Sequence, residues 1–295
     1  MSKDIKLFKN FSENYFSNGK VKIFYRMGGK GYPLLLLHGY PQNHYMWYLT
    51  APELMKRFTI IIPDLRGYGQ SSAPKRASSH NKYSKKMMAK DLIKLMDYLN
   101  FKNFFVVGHD RGGRVAHRLA RDNRDRIDRL MVIDICPTLD MYELTDVKFA
   151  QAYFHWFFLT QPIGVPEKMI GSDPKFWVKL CLNSWSDNHD FSDVEKKYIQ
   201  AFLSPDKIHA TCEDYRASAT IDLEHDIQDR HNKLSLPIHV IWGKKSYIGK
   251  SFNPIEIWQK YTSSVVTGKA IKCGHFIPEE SPKETINEII SFFKR

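Results

Sequence analysis

Phe104-Phe105-Val106-Val107-Gly108-His109-Asp110-Arg111-Gly112-Gly113-Arg114 is the stretch whose reading decides the fold. Residues 104–107 form a short apolar, partly β-branched run, suited to a strand buried on both faces of a sheet. Gly108-His109-Asp110-Arg111-Gly112 then has the G-x-nucleophile-x-G pattern of a sharp strand-to-helix elbow. The central residue of such an elbow sits in strained backbone, and side chains on the two glycines would collide with the crossing strand and helix. That central residue is Asp110, where serine is the more familiar occupant. A serine nucleophile attacks acyl carbon, whereas a carboxylate is a poor acyl nucleophile but displaces a leaving group from alkyl carbon. The product is an ester of Asp110, which water can cleave at the Asp110 carbonyl.

Arg111 and Arg114 fall in the first turn of the helix that follows, where the macrodipole disfavours cations by about 0.3–1 kcal/mol. Arg118 and Arg121 continue the same 3-4-3 spacing, which on its own describes a solvated stripe. At 1.5 Å of rise per residue, Arg121 lies roughly 15 Å beyond Arg111 and cannot share its site. The distal pair is expected to be a solvated face, and the proximal pair to grip an anion with the bidentate geometry that suits a carboxylate. The elbow therefore points to an alkyl substrate that carries its own carboxylate.

The chain has 295 residues, 43% of them hydrophobic and 14% aromatic. That is ample for a core and excludes a disordered chain. No apolar run approaches the ~20 residues that span a bilayer. Residues 1–9 are charged and lack an apolar signal core, so a cytoplasmic protein without a membrane partner is expected. The four cysteines, Cys136, Cys181, Cys212 and Cys273, have no C-x-x-C spacing; reduced structural thiols are expected, with no metal. The net charge of +12 is spread along the chain without a basic tail. It suits attraction of a small anionic substrate better than binding of nucleic acid.

Read in order, residues 21–26 form a strand, and Met27-Gly28-Gly29-Lys30-Gly31 is rich enough in glycine to close a hairpin. A buried strand at 34–37 ends in His38-Gly39-Tyr40-Pro41, a glycine loop placed to supply half of an oxyanion hole. The strand at 59–62 ends in Asp64-Leu65-Arg66-Gly67-Tyr68-Gly69-Gln70-Ser71, whose Asp and Arg are expected to pin loops. A helix spans 83–99, with its methionines as core. After the elbow, a strand at 130–133 ends at Asp134. Alternating strands and helices imply a mostly parallel, doubly wound α/β sheet with ligands at the strand C-termini.

From 141 to 234 strand signals stop and aromatic-rich helical segments take over, at 149–159, 173–185, 194–202 and 207–220. This reads as a helical lid inserted after the sixth strand, so that 1–140 and 235–295 make the core domain and 141–234 the lid. The sheet resumes at 237–242 and at 264–270. Cys273-Gly274-His275-Phe276 and a helix at 282–293 follow.

Nucleophile, acid, histidine is the chain order of a hydrolase triad on such a sheet. His275 follows the last strand with a glycine before it, so it can reach over the elbow as general base for water. After Ile241-Trp242-Gly243, where many such chains carry the acid, this one has Lys244-Lys245-Ser246-Tyr247. Asp134, one strand earlier, is the natural partner to orient His275. A helix cap is the alternative reading of Asp134, and Asp140 and Asp222 are weaker rivals for the role.

These residues resemble those of the fluoroacetate (haloacetate) dehalogenases, a group within the α/β-hydrolases. The shared strings include His38-Gly39-Tyr40-Pro41-Gln42, the elbow at 108–117, Asp134-Ile135-Cys136-Pro137-Thr138, Tyr153-Phe154-His155-Trp156, Cys212-Glu213-Asp214-Tyr215-Arg216-Ala217 and Gly274-His275-Phe276-Ile277-Pro278-Glu279-Glu280. The resemblance covers nearly the full length, lid included. It implies an α/β-hydrolase fold that converts haloacetates to glycolate and halide without a cofactor, and a homodimer. It also implies Asp110 as nucleophile, His275 as base, Asp134 as its partner, and Arg111 and Arg114 on the substrate carboxylate. His155, Trp156 and Tyr215 would donate to the departing halide, and Trp185 would line the pocket. The backbone N–H groups of Tyr40 and Arg111 would form the oxyanion hole. Tyr40 stands where members of the family often have Phe. An epoxide hydrolase or haloalkane dehalogenase would use the same triad on mostly neutral substrates, usually with an aromatic residue at the place of Arg111. A non-catalytic small-acid-binding protein is the remaining alternative.

Overall fold

The computed structural model describes residues 7–75 and 79–294. The stretch 1–9, weighed above for a signal sequence, therefore lies mostly outside the described residues. The sheet has eight strands: β1 (Ser12–Asn18), β2 (Val21–Gly28), β3 (Tyr32–Leu37), β4 (Phe58–Pro63), β5 (Phe104–His109), β6 (Ile127–Ile133), β7 (Ile238–Gly243) and β8 (Val266–Ile271). Their spatial order is β1-β2-β4-β3-β5-β6-β7-β8. The pairs β1·β2 and β2·β4 are antiparallel, and every pair from β4 onward is parallel. The doubly wound α/β sheet expected from the sequence is present. β4 and β5 are buried at every residue, as apolar runs covered by helices on both faces must be.

The glycine-rich turn at 27–31 does not close a hairpin. β4 inserts between β2 and β3, and Gly29 and Gly31, with φ of +85° and +132°, instead run tight against the backbone of residues 55–58. The hairpin that does form joins β1 to β2. β1 escapes sequence reading because its residues, Ser-Glu-Asn-Tyr-Phe-Ser-Asn, are mostly polar and it lies exposed at the sheet edge.

Helix α1 (Lys85–Tyr98) and helix α2 (Arg111–Asp122) follow β4 and β5. All of α2 but its last residue is buried, and this corrects the reading of Arg118 and Arg121 as a solvated face. Arg118 pairs with Asp122 and Asp229. Arg121 donates to the carbonyls of Asp229 and Asn232 and to His117. The stripe is polar because it meets the chain leaving the last lid helix, whose free carbonyls accept guanidinium donors.

Eight helices lie between β6 and β7, with no strand among the described residues there. They are α3 (Thr138–Glu143), α4 (Val147–Ala152), α5 (Phe154–Phe158), α6 (Val165–Ser172), α7 (Pro174–Trp185), α8 (Glu195–Phe202), α9 (Pro205–Ser218) and α10 (Ile221–Gln228). The segment expected as one helix at 149–159 breaks at Tyr153 into α4 and α5, and α3, α6 and α10 were not anticipated. This layer closes over the C-terminal edge of the sheet. Tyr198 of α8 donates to Glu279 at 2.7 Å, and Tyr68 donates to Asp214 of α9 at 2.6 Å. The loop after β4 is pinned by its own Asp64 and Arg66, as expected: Asp64 accepts from the backbone of His44 and Gln70, and Arg66 is paired with Asp91. Among the described residues no helix is long and apolar enough to cross a membrane.

Candidate active site

β5 delivers Asp110 to the sheet edge in left-handed backbone, φ +47°, a conformation a non-glycine residue adopts only under strain. The surroundings must therefore be small. A Cβ on Gly39 would sit 2.5 Å from Asp110 Cβ, and one on Gly112 would sit 2.4 Å from the His38 carbonyl oxygen. The Tyr40 N–H, at the β3 loop, donates to Asp110 Oδ1 at 2.9 Å. Arg111 opens helix α2 beside it, so its N–H is one of the amides that a helix leaves without an internal acceptor.

His275 reaches the same place from beyond β8. Its Nε2 lies 4.0 Å from Asp110 Oδ2, and its Nδ1–H donates to Asp134 Oδ2 at 2.6 Å. Asp134, at the end of β6 with φ +52°, is fully engaged: its Oδ1 accepts from Gly243 N–H at 2.9 Å and from Ser246 Oγ–H at 2.7 Å. The turn after β7 thus provides donors to the Asp134 carboxylate instead of an acid of its own. Asp140 binds the Tyr261 hydroxyl and Asp222 the Lys85 N–H, both away from His275. Three backbone amides around the histidine, those of Gly274, Phe276 and Asp187, donate to Glu280.

Burial works against charging either group, but the pair and its neighbours outweigh it. His275 first, then His109, Arg111 and Arg114, hold the Asp110 carboxyl down at about 2. Asp134 and Asp110 raise His275 above its ordinary 6.5. An imidazole acting as base must be neutral, so if the reaction runs through an ester of Asp110, hydrolysis should accelerate as pH rises through the His275 ionisation. At acidic pH an alkylated enzyme should accumulate, since Asp110 stays ionised and nucleophilic; rapid-quench mass analysis at two pH values checks this. Esterification removes the Asp110 charge and with it part of the upward push on His275, so the hydrolysis midpoint should lie below that of the free enzyme.

The two arginines differ. Arg111 is fully buried and clamped by Asp214, Nε to Oδ2 at 3.0 Å and Nη2 to Oδ1 at 2.7 Å, with Nη2 also donating to Ser218. Asp214 in turn takes Lys85 and Tyr68. The fork expected to grip a carboxylate is therefore spent on the protein, and only Nη1 lacks a partner. Arg114, equally enclosed, meets neutral acceptors: the Cys136 carbonyl, Thr138 Oγ1 and Met141 Sδ. Its Nε has no partner, and it has no ion pair with a carboxylate among the described residues. The Arg111 guanidinium lies 4.1 Å over the Tyr215 ring and that of Arg114 4.6 Å over the Trp156 ring, each a favourable cation–π stack.

The lid residues named from sequence gather here. His155 lies 4.4 Å from Trp185 and 5.8 Å from Tyr215, ring centre to ring centre. His155 Nδ1, Trp156 Nε1 and Tyr215 Oη are all buried without a hydrogen-bond partner among the described residues. Such groups are rare because each costs ~1–3 kcal/mol. Burial, opposed by Asp110, pushes His155 down to about 3, so it is neutral at physiological pH. Neutral donors and two cations thus gather around Asp110.

An alpha/beta hydrolase fold family model matches residues 32–282. The chain belongs to the alpha/beta hydrolase family. It is 39% identical to a fluoroacetate dehalogenase from a Burkholderia species, over 97% of this chain and 95% of that protein. It is 32% identical to a soluble epoxide hydrolase from Corynebacterium sp. (strain C12), over 92% of this chain and 93% of that one. A crystal structure of a candidate alpha/beta hydrolase from Nostoc sp PCC 7120 superposes with a TM-score of 0.94 at 47% identity, covering 97% and 99% of the two chains.

In this hydrolase the site opens into a cavity of about 530 Å³ whose walls include Asp110, Asp134, His155, Trp185 and His275. Trp156 and Tyr215 pack against the wall residues Tyr153 and His155, and Arg111 and Arg114 stack on their far side over Tyr215 and Trp156. Tyr40 is engaged elsewhere: Trp177 of α7 donates to its hydroxyl, so the oxygen that distinguishes it from Phe ties the oxyanion loop to the lid. Sequence reading missed Asp214, Ser246 and Tyr153. Asp214 lies in the 212–217 motif but next to no recognisable chemistry, and Ser246 carries no carboxylate to mark it as a partner of the histidine. Tyr153, also in the cavity wall, sits at the break between α4 and α5, which the helical periodicity of 149–159 does not reveal. The four cysteines are unpaired and buried.

Proposed function

We propose that this hydrolase converts haloacetates, fluoroacetate included, to glycolate and halide through an ester of Asp110. Arg114 carries the reading. It is a buried cation whose hydrogen-bond partners among the described residues are all neutral, and burial together with Arg111, opposed by Asp110, lowers its pKa. Leaving an ion so enclosed without a carboxylate in contact is costly. A substrate carboxylate taken between Arg114 Nε and Arg111 Nη1 neutralises it, and a neutral epoxide or haloalkane does not.

With the carboxylate held there, Asp110 Oδ2 attacks the adjacent carbon and the halide leaves toward His155, Trp156 and Tyr215. Fluoride is small and strongly basic, so its departure depends on hydrogen bonds that strengthen in the transition state. Water beside His275 then attacks the Asp110 carbonyl. The charge that develops on Oδ1 meets the Tyr40 and Arg111 amides, and glycolate is released. Asp134 keeps the imidazole in the tautomer that accepts the water proton. The resemblance to the Burkholderia fluoroacetate dehalogenase supports the same substrate.

Halide release from fluoroacetate and chloroacetate, measured side by side, tests the proposal; no release from either would refute it and favour a non-catalytic acid binder. Tyr215→Phe removes one hydroxyl and little volume. It should cost fluoroacetate about 1–3 kcal/mol in kcat/KM and chloroacetate clearly less. Equal losses for the two acids would mean that Tyr215 only shapes the pocket.

A further inference from the structure

His275 acts through its imidazole, but the loop that carries the ring is held by a carboxylate with no part in the chemistry. Residue 275 lies in an irregular turn between β8 and the short helix Ile277–Glu280. A base on such a turn is only as well placed as the backbone under it. Gly274 N–H donates to Glu280 Oε2 and Phe276 N–H to Glu280 Oε1, each at 2.8 Å. The two backbone groups of His275 itself go to other elements. Its N–H donates to the Trp185 carbonyl at 2.8 Å, one of the acceptors that the end of α7 leaves free. Its carbonyl accepts from His109 Nε2–H of β5 at 2.9 Å.

Glu280 also reaches the lid. Its Oε2 takes the Asp187 N–H at 2.7 Å, so one carboxylate holds the residues on both sides of the base and the chain leaving α7. The Asp187 side chain pairs with Lys245 at 2.6 Å, in the turn whose Ser246 supports Asp134. Trp185, Asp187, Lys245 and His275 all line the cavity. A carboxylate accepting three N–H donors is a strong, directional anchor. The Lys245 pair, half in solvent, adds little.

We infer that Glu280 is a positioning residue for the general base, fastening the His275 loop to lid segment 185–187. The inference rests on the proposed role of His275 in cleaving an Asp110 ester. Glu280 acts through geometry and through charge. Burial lowers the His275 pKa, while Asp134, then Asp110 and Glu280, raise it. The ring also faces His109 on β5, 4.5 Å away between ring centres, and His155 lies beyond Trp185 on the lid. Asp187 and Lys245 are paired with each other. Substituting Glu280 leaves all of these side chains in the protein.

Glu280→Gln keeps the size of the side chain, removes its charge and turns one acceptor oxygen into a donor that opposes at least one of the three amides. Rapid-quench mass analysis with chloroacetate separates the two steps. Alkylation of Asp110, which needs no base, should stay close to the wild-type rate. Ester hydrolysis should slow by at least about tenfold, since a misplacement of ~1 Å can cost ~100-fold, and carboxymethylated Asp110 should accumulate. The hydrolysis midpoint should move to lower pH, because His275 must be neutral and has lost an anion that favours its charged form. Glu280→Asp keeps the charge but shortens the reach. It should slow hydrolysis with a smaller shift of the midpoint, and it carries the rate test should the Gln variant fail to fold. Equal slowing of both steps, an unchanged hydrolysis rate or an unmoved midpoint in Glu280→Gln overturns this inference alone. A wild-type enzyme that neither releases halide nor forms the ester overturns the proposed function with it.

Discussion

Replacing His275 with Asn should stop the reaction half-way. In the proposed mechanism alkylation needs only Asp110, the arginines and the halide donors, so the variant exposed to a haloacetate should gain the mass of one carboxymethyl group, mapping to Asp110. Turnover should fall by roughly 10²–10⁴-fold, the usual contribution of a positioned general base. The geometry behind this is the 4.0 Å separation of His275 Nε2 from Asp110 Oδ2. Asn keeps an amide within reach of Asp134 but cannot accept a proton from water. Peptide mapping of the labelled protein checks the result, and a label on any other residue would contradict it.

The second large effect separates the two arginines. Arg114→Met should lower kcat/KM for haloacetates by at least about tenfold, since a charge-assisted contact contributes roughly 1.5–3 kcal/mol. Stability should be unchanged or improved, because the variant removes a buried cation with no ion pair among the described residues and leaves an apolar chain of similar length. Arg111→Met should lose activity and stability together. It would strip Asp214 of its two-point clamp and leave a buried carboxylate supported by Lys85 and Tyr68. Thermal unfolding alongside kinetics checks both variants, and equal stability losses would refute the distinction.

That difference between neighbours three residues apart was not legible in the sequence. Local signals sufficed for the elbow, because Gly108 and Gly112 flank Asp110 in a fixed pattern and the strand before them is uniformly apolar. They also sufficed to bring Asp134 and His275 to one edge, since β5 and β6 are adjacent parallel strands and β8 lies beyond β7 on the same side. The state of Arg111 depends on Asp214, 103 residues away, and no periodicity reports such a pairing. Arg118 and Arg121 misled for the same reason: a charged stripe covered by the end of a distant helix looks like one facing water. The false hairpin at 27–31 arose because glycines needed for close passage of the chain resemble glycines needed for a turn. Among the lid residues, motif resemblance located His155, Trp156 and Tyr215, whereas composition alone would have assigned them to a core.

The central claim is that the carbon–halogen bond is broken by Asp110 and not by water. A single turnover of haloacetate in heavy-oxygen water, with enzyme in excess, tests it most directly. With water attacking the Asp110 carbonyl as proposed, the label should appear in the Asp110 carboxylate after one turnover, and the glycolate should be unlabelled. Labelled glycolate with unlabelled Asp110 would mean direct displacement by water and would contradict the account.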